Sequence, residues 1–390
     1  MNSLEHREAL ATFYKKQSYI FHLFAQLKLS DTASKHFQRL HRFYFYFVLI
    51  CWVLYFDITC LIQLVLNITD LNEVIKVFYV FATALGSFAK FAAIKVKNNL
   101  YAELIETMHD PKYRPVNSRE VKLFRQSQRL SRTVRNLYTV ISLVALNALL
   151  LTQYIIDNTQ LPMSIYNPVN TDTELRYALM YIYQYFAASV CCYTNVAFDS
   201  ISSSFMIHVK GQLDILCDRL EHLGENSEAE EEGITQQLKD CIKYYDDIIR
   251  IVQMAEDLTT LPISVQIACS VMVLVANFYA MSFLSDMANF IKFLIYQLCM
   301  LSQIYILLYF PSEVTAKSEE VPYYLYCSKW VNWNRSNRKL ALLMMTRFDI
   351  PIHIKSVIPT YTFNLAAFTS IVNSSYSYYA LLKNFNSSNQ

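Results

Sequence analysis

An all-α membrane protein with seven spanning helices is the fold class that this sequence predicts. Its 390 residues are 54% apolar, 15% aromatic and 17% charged, and they include only four glycines. A soluble domain carries roughly one quarter charged residues and more glycine. Seven apolar segments are each long enough to cross a hydrocarbon core of about 30 Å, which takes roughly 20 helical residues. Because lipid offers the backbone no hydrogen-bond partners, these spans are expected to be α-helical.

The distribution of Lys and Arg along the chain predicts its orientation. Residues 95–135 hold ten of them, 67–72 hold none and 157–176 hold only one. Cytoplasmic connections are enriched in Lys and Arg, so the N-terminus and the long connections are expected inside the cell and the C-terminus outside. Two glycosylation triplets, at Asn67 and Asn386, fall on the outer side of this topology. The predicted spans are 42–66, 73–94, 136–156, 177–205, 261–285, 290–310 and 352–382.

The long cytoplasmic connections are predicted to be amphipathic helices. In the connection 206–260, Leu213, Leu216 and Leu220 recur at helical spacing. Apolar faces outside the membrane need partners, so we expect an intracellular helical layer through which subunits assemble. The domains expected are a cytoplasmic N-terminal segment (1–41), six spans with helical extensions (42–310), an intracellular anchor helix (311–351), a pore-lining seventh span (352–382) and an extracellular tail (383–390). The anchor interface is predicted at Tyr326, Trp330, Trp333, Leu340 and Leu343.

Two ionisable residues fall near the inner ends of predicted spans. A charge in lipid is costly, so each must be paired or must reach water. We expect Lys90 to extend its ammonium to the cytoplasmic surface. For Asp199 we expect a structural pairing with a basic residue of the anchor layer.

Enzymatic function is not expected from this sequence. The histidines and acidic residues lie mostly outside the spans, and there is no H-E-x-x-H pair, phosphate-binding glycine loop or nucleophile elbow. The nine cysteines show no metal or disulfide spacing and are expected to pack as small apolar residues. We therefore expect no metal, no cofactor and no nucleic-acid partner. A membrane transporter would show internal repeats and broken spans, which fits four glycines poorly.

The C-terminal third carries a more specific signal. It contains "EVTAKSEEVPYYLYCSKWVNW", then "NRKLALLMMTR", then "PTYTFNLAAFTSIVNSSYSYYALL", between residues 313 and 382. These segments and their spacing resemble the insect odorant receptor family, and so do the length and the inverted seven-span topology. The resemblance implies a non-selective cation channel, opened by odorants, that assembles as a tetramer with a co-receptor in the plasma membrane of olfactory sensory neurons. Because the connection 206–260 is too short for the co-receptor's insertion, the chain resembles a ligand-tuning subunit. A related gustatory-type chemoreceptor is the alternative.

The last span is predicted to line the pore. Asn373, Tyr376, Tyr379 (or Ala380) and Lys383 recur every three to four residues, so they share one helical face. With the C-terminus outside, Tyr379 and Leu382 lie near the outer mouth, where bulky rings can exclude water and close a pore. The serines 374, 375 and 377 are expected to bond backbone carbonyls instead.

An odorant pocket is expected in the outer halves of the spans. A small volatile ligand, aromatic odorants included, needs an apolar, aromatic site with one or two polar groups. Asn147 and Asn277 are the predicted polar groups, although helix-to-helix hydrogen bonding explains either one alone. The full set of candidates is Phe78, Phe81, Ala82, Leu146, Asn147, Leu150, Tyr154, Tyr177, Tyr181, Tyr185, Asn277, Phe278, Tyr279 and Met281.

Overall fold

The fold is given by a computed structural model of the chain. It describes residues 3–29, 34–156, 160–168, 173–224, 231–283, 286–358 and 361–388. In these ranges the chain forms eleven α-helices and no strand longer than one isolated bridge. The helices are α1 (Ser3–Leu23), α2 (Lys35–Val48), α3 (Tyr55–Leu66), α4 (Leu71–Val96), α5 (Asn98–Met108), α6 (Ser118–Ile156), α7 (Glu174–Glu221), α8 (Glu231–Phe283), α9 (Met287–Cys327), α10 (Arg335–Phe348) and α11 (Leu365–Ser388).

Six of the predicted spans coincide with helices. A π-helical stretch, Leu49–Leu54, joins α2 and α3 into one span, and the next five coincide with α4, α6, α7, α8 and α9. The last two residues of the predicted span 261–285 lie outside the described residues. Among the described residues, five helical stretches satisfy a length and hydropathy criterion for crossing a membrane: Lys35–Leu66, Glu73–Val96, Ser118–Ile156, Glu231–Ser282 and Met287–Cys327. The helices α7 and α11 carry more polar residues and fall outside that group.

Several helices are much longer than a bilayer is thick. The 48 residues of α7 and the 53 of α8 extend for about 72 and 80 Å at 1.5 Å per residue. Their excess length packs with α1, α5, α10 and the ends of α6 and α9. The prediction that the spans continue as helices beyond the thickness of a bilayer agrees with these bounds.

The seventh span begins later than predicted. Helix α11 starts at Leu365 rather than at residue 352. The preceding chain is extended, with a bridge between Lys355 and Thr362 and a hydrogen bond of 2.9 Å from Phe363 N to Ile354 O. Pro359 contributes to the delay, because a proline disfavours helical backbone at the residue before it.

Helix α7 is the centre of the packing. Every residue from Thr194 to Val209 is buried. Ser202, Ser203 and Ser204 donate their hydroxyls to carbonyls within the helix, as when Ser202 Oγ donates to Phe198 O at 2.8 Å. Small residues also let α6 approach closely, since a Cβ added to Gly211 would lie 2.5 Å from Ser127 Oγ. Close backbone approach through small residues is typical of helix packing in membranes.

The anchor segment is not one helix. It consists of the end of α9, a 3₁₀ turn (Trp330–Asn332) and α10. Among the predicted interface residues, Trp333 is buried in the core of its own chain, and Trp330 and Leu340 are partly buried. Tyr326 and Leu343 are exposed and remain available for an intersubunit contact.

Candidate functional site

An apolar cavity of about 90 Å³ lies inside the helical bundle. Five helices and one loop enclose it, and nearly all of the lining side chains are apolar or carry a single hydroxyl, thiol or amide. The lining residues are Phe56 on α3, Val80 and Thr83 on α4, Tyr138, Ser142, Ala145, Leu146 and Leu149 on α6, Met163 in the loop, Ala188, Cys191, Cys192, Asn195 and Val196 on α7, and Tyr296, Cys299, Met300 and Gln303 on α9.

One face of α6 forms a wall along the whole cavity. Tyr138, Ser142, Ala145 and Leu149 follow one another every three to four residues, which places them on the same side of the helix. The wall is about 16 Å long, because eleven residues separate Tyr138 from Leu149. An elongated apolar cavity with a few polar groups suits a small organic molecule.

The outer end of the cavity is covered by the loop between α6 and α7. Gln184 accepts a hydrogen bond from Met163 N at 3.0 Å and donates one to Met163 O at 3.2 Å. A third bond, from Tyr166 N to Thr59 O at 3.2 Å, ties the loop to α3. These bonds hold Met163, which is only 3% exposed, over the cavity.

A buried ion pair forms the inner end. Lys90 Nζ lies 2.7 Å from Asp199 Oδ1 and also donates to Asn195 Oδ1 at 2.8 Å. Tyr138 donates to Asp199 Oδ2 at 3.0 Å, and Gln303 donates to the same oxygen at 2.6 Å. Both charged side chains have no solvent exposure. Such a pair is compatible with a membrane interior only because the remaining lone pairs and protons are also hydrogen-bonded.

This pair corrects two predictions. Lys90 does not reach the cytoplasmic surface, and Asp199 does not pair with a residue of the anchor layer. The two charges neutralise each other inside the bundle, across 109 residues of sequence.

The polar network continues from the cavity into α8. Gln266 Nε2 donates to Gln303 Oε1 at 3.2 Å and to Ser270 Oγ at 3.0 Å. A Cβ at Gly86 would lie within 2.4 Å of Gln266 Oε1, so α4 leaves room for this amide. Side chains of α4, α6, α7, α8 and α9 therefore meet in one hydrogen-bonded cluster.

The cavity contains only one of the predicted ligand-binding residues, Leu146. The neighbouring candidates on α6 point elsewhere, because Asn147 donates to Leu143 O at 2.8 Å and Tyr154 is exposed. Tyr154, Tyr177 and Tyr181 form an aromatic cluster at the outer surface, with ring centroids 6.0 and 6.2 Å apart. The other candidates on α4, α6 and α7, which also do not line the cavity, are Phe78, Phe81, Ala82, Leu150 and Tyr185.

The candidates on α8 lie at the contact with the last helix instead. The ring centroids of Phe278 and Tyr379 are 5.9 Å apart, and Tyr279 is buried with Ile75 of α4. Asn277 is fully buried, and neither of its amide atoms has a hydrogen-bond partner among the described residues. Neither Asn277 nor Met281 lines the cavity.

Sequence reasoning missed the polar residues of the cavity. Tyr138, Asn195 and Gln303 each fall inside a predicted span. The sequence could have indicated them, because a polar side chain inside a span requires a partner or a function. The i, i+4 spacing of Asn195 and Asp199 also places both on one face of α7.

The last helix presents a polar face to its surroundings. Asn373 and Tyr376 are exposed, as predicted for a pore-lining stripe, but Tyr379 is partly buried against α8. Ser375 and Ser377 donate to the carbonyls of Ile371 and Asn373 at 2.8 and 2.9 Å, in agreement with the expected backbone bonding. The side chains of Leu382, Lys383 and Asn386 lie outside the described residues. The other glycosylation candidate, Asn67, ends α3 and donates to Gln63 O at 3.1 Å.

These features define an all-α, multi-pass membrane protein with an apolar cavity inside its helical bundle. The family model described as 7tm Odorant receptor matches residues 70–376, and the chain belongs to this family. Odorant receptor 46a, isoform A, of Drosophila melanogaster is 39% identical over 377 residues, which cover 96% of this chain and 98% of that receptor. Odorant receptor 94a of the same fly is 24% identical and covers 81% of this chain and 82% of its own length.

A solved structure confirms the fold class. The insect olfactory receptor OR5 from Machilis hrabei, in complex with eugenol, superposes with a TM-score of 0.85 at 15% identity, covering 99% of this chain and 100% of that one. The predicted membership of the insect odorant receptor family is confirmed by the family match and by the Drosophila relatives. The prediction that the chain is not an enzyme is confirmed as well, because the family consists of sensory receptors.

Proposed function

We propose that this chain is the odorant-tuned subunit of a ligand-gated, non-selective cation channel. A small volatile odorant occupies the cavity between α3, α4, α6, α7 and α9. Co-receptor subunits complete a tetramer in the plasma membrane of olfactory sensory neurons, and α11 lines the shared pore. The enclosed apolar cavity in a chain of the odorant receptor family is the observation that carries this proposal.

The chemistry of the cavity supports an odorant as its ligand. Its walls are aliphatic and aromatic, with a few polar groups collected at the inner end. Burial of apolar surface supplies most of the affinity for such a ligand, and the polar groups fix its orientation. The neighbouring OR5 structure holds eugenol, which is an aromatic odorant, so aromatic odorants are the first class to test.

The exposed face of α11 supports a role in a pore. Thr369, Ser370, Asn373 and Ser377 lie on that face, and no other helix of the described chain covers them. Polar side chains directed at lipid are unfavourable, whereas a water-filled conduit hydrates them. A ring of such residues without carboxylates discriminates weakly between cations.

Exposed apolar residues of the intracellular bundle support assembly. Tyr326 and Leu343 are 63% and 61% exposed, and Tyr323 and Leu342 lie beside them in sequence with similar exposure. Large apolar side chains clustered outside the membrane favour a protein partner. We place the co-receptor contact on this surface.

A cavity-filling variant tests the ligand site. Ala145 is buried in the cavity wall, and Val144 next to it is 50% exposed on the outside of α6. Each variant is co-expressed with a co-receptor in oocytes, and odorant-evoked current is measured by voltage clamp over a panel of volatile aromatic compounds. We expect Ala145→Phe to abolish the responses because it occupies ligand volume, and Val144→Phe to preserve them. Normal responses of a surface-expressed Ala145→Phe receptor would contradict the proposed site.

Cysteine accessibility tests the pore. Asn373 is exposed on α11, whereas Ser375 is fully buried two residues away. We expect a charged methanethiosulfonate reagent to reduce the current through Asn373→Cys channels and to leave Ser375→Cys channels unchanged. An unmodified current in both variants, each present at the surface, would place the stripe away from the conduit.

A further inference from the structure

At the inner end of the cavity, the tyrosine hydroxyl protons are already donated to other groups of the protein. Tyr138 donates its proton to Asp199 Oδ2 at 3.0 Å. Tyr296 lies 2.5 Å from Thr83 Oγ1, and Thr83 donates its own proton to Tyr79 O at 2.8 Å. The Tyr296 hydroxyl must therefore be the donor in its pair with Thr83. Both tyrosine oxygens that line the cavity keep lone pairs but have no proton left to give.

Donors are present at the same end of the cavity. Ser142 lies one helical turn from Tyr138, and the only hydrogen-bond contact that its Oγ makes in the described part of the chain is with Cys299 Sγ, at 3.7 Å. A thiol is a weak partner, so the serine proton is available to a stronger acceptor. Asn195 and Gln303 also carry a second amide proton beyond the ones bonded to Cys191 and Asp199. This end of the cavity can thus accept one hydrogen bond and donate another.

We propose that the cavity selects odorants that carry a hydroxyl group, alcohols or phenols, over ethers and carbonyl compounds of the same carbon skeleton. The inference rests on the proposed ligand site. A hydroxyl donates to the phenolic oxygen of Tyr138 and accepts from Ser142, and both side chains lie on the same face of α6. An ether or a carbonyl oxygen accepts from Ser142 or from an amide but leaves the tyrosine oxygen without a donor.

The expected difference in potency between an alcohol and its methyl ether follows from one hydrogen bond. A buried polar atom that loses its partner weakens binding by roughly fivefold or more. We therefore expect the alcohol to act at a concentration at least about fivefold lower than its methyl ether. The apolar walls contact the shared skeleton equally and do not contribute to this ratio.

The experiment uses matched sets of odorants on the receptor co-expressed with a co-receptor. Each set contains an alcohol, its methyl ether and its aldehyde on one skeleton, with benzyl, phenethyl and hexyl series as the probes. We expect half-maximal current at the lowest concentration for the alcohol of each active set. Tyr138→Phe removes the acceptor and is expected to bring alcohol and ether within about twofold of each other. Ser142→Ala removes a donor and is expected to weaken all three members while keeping the alcohol first.

The outcomes separate this inference from the proposed function. Equal potency of alcohol and ether on the wild-type receptor overturns the inference, and so does silence toward every alcohol of the three series. An alcohol preference that persists in surface-expressed Tyr138→Phe overturns the assigned acceptor. Where Tyr138→Phe fails to reach the surface, the wild-type ranking and Ser142→Ala, which touches neither Lys90 nor Asp199, still decide. Responses that survive Ala145→Phe would instead remove the ligand from this cavity altogether.

Discussion

Removal of the Asp199 carboxylate is the substitution that the structure predicts to be most harmful. Asp199 accepts from Lys90, Tyr138 and Gln303, and its carboxylate balances the charge of the Lys90 ammonium. Asp199→Ala would leave the Lys90 ammonium fully buried, with Asn195 as its remaining hydrogen-bond partner among the described residues. Breaking a buried pair from one side destabilises a protein by about 3–5 kcal/mol, a factor of more than a hundred in the folded population.

Removing both charges should be far less harmful. The double variant Lys90→Met/Asp199→Leu removes both charges together, so no unpaired charge remains. The new side chains fill most of the lost volume. Replacement of a buried pair by apolar residues of similar size is often neutral or stabilising. We therefore expect Asp199→Ala to be absent from the cell surface or to melt well below the wild type, and the double variant to recover most of the loss.

The assay is a thermal melt of the detergent-solubilised receptor and co-receptor, followed by fluorescence-detected size exclusion, together with surface biotinylation. Asp257→Ala is the matched control, because Asp257 lies on the exposed side of α8 and its carboxylate makes no ion pair among the described residues. An Asp199→Ala receptor as stable as Asp257→Ala would refute the reasoning. So would a double variant that is no better than the single one.

Three further predictions concern packing, the outer loop and the last helix. Gly211→Ala should lower the melting temperature, because its clash with Ser127 costs about 1–3 kcal/mol and the gain in helix propensity is roughly 1 kcal/mol. Adding Ser127→Gly should restore the melting temperature. If it does not, the loss has a cause other than this clash. Gln184→Ala frees the loop that carries Met163, so odorant currents should decay about fivefold faster after washout, and unchanged kinetics would contradict a covering role. Tyr379→Ala should raise the basal current or alter permeability, and if it changes neither, the gate assignment is wrong.

The spans could be predicted from the sequence because each depends on local composition. A run of apolar residues and the position of Lys and Arg need no knowledge of neighbouring helices. The start of α11 could not be placed in this way, since residues 352–358 and 361–364 lie inside the predicted span but are not helical. Pro359 between them outweighs hydropathy.

The cavity depended on helix rotation, which sequence alone does not fix. Each residue turns an α-helix by 100°, so a shift of one position selects a different neighbour. On α6 the candidates Asn147, Leu150 and Tyr154 differ by about that step from the actual wall, and only Leu146 lines the cavity. For the same reason, pocket residues were predicted on α8, whereas the cavity is lined by residues of α9. The sequence also could not show that Lys90 pairs with Asp199, which is 109 residues away.

Helix α8 connects the proposed ligand cavity with the proposed gate on α11. About two thirds of the way along α8, Gln266 bonds to Gln303, which lines the cavity and also bonds to Asp199. About 18 Å further along the same helix, Phe278 packs against Tyr379 of α11. A ligand that competes for Gln303 therefore acts on a helix whose other end contacts the proposed gate. Because α8 is one continuous helix between these points, a small rotation at Gln266 is carried to Tyr379 without a flexible link.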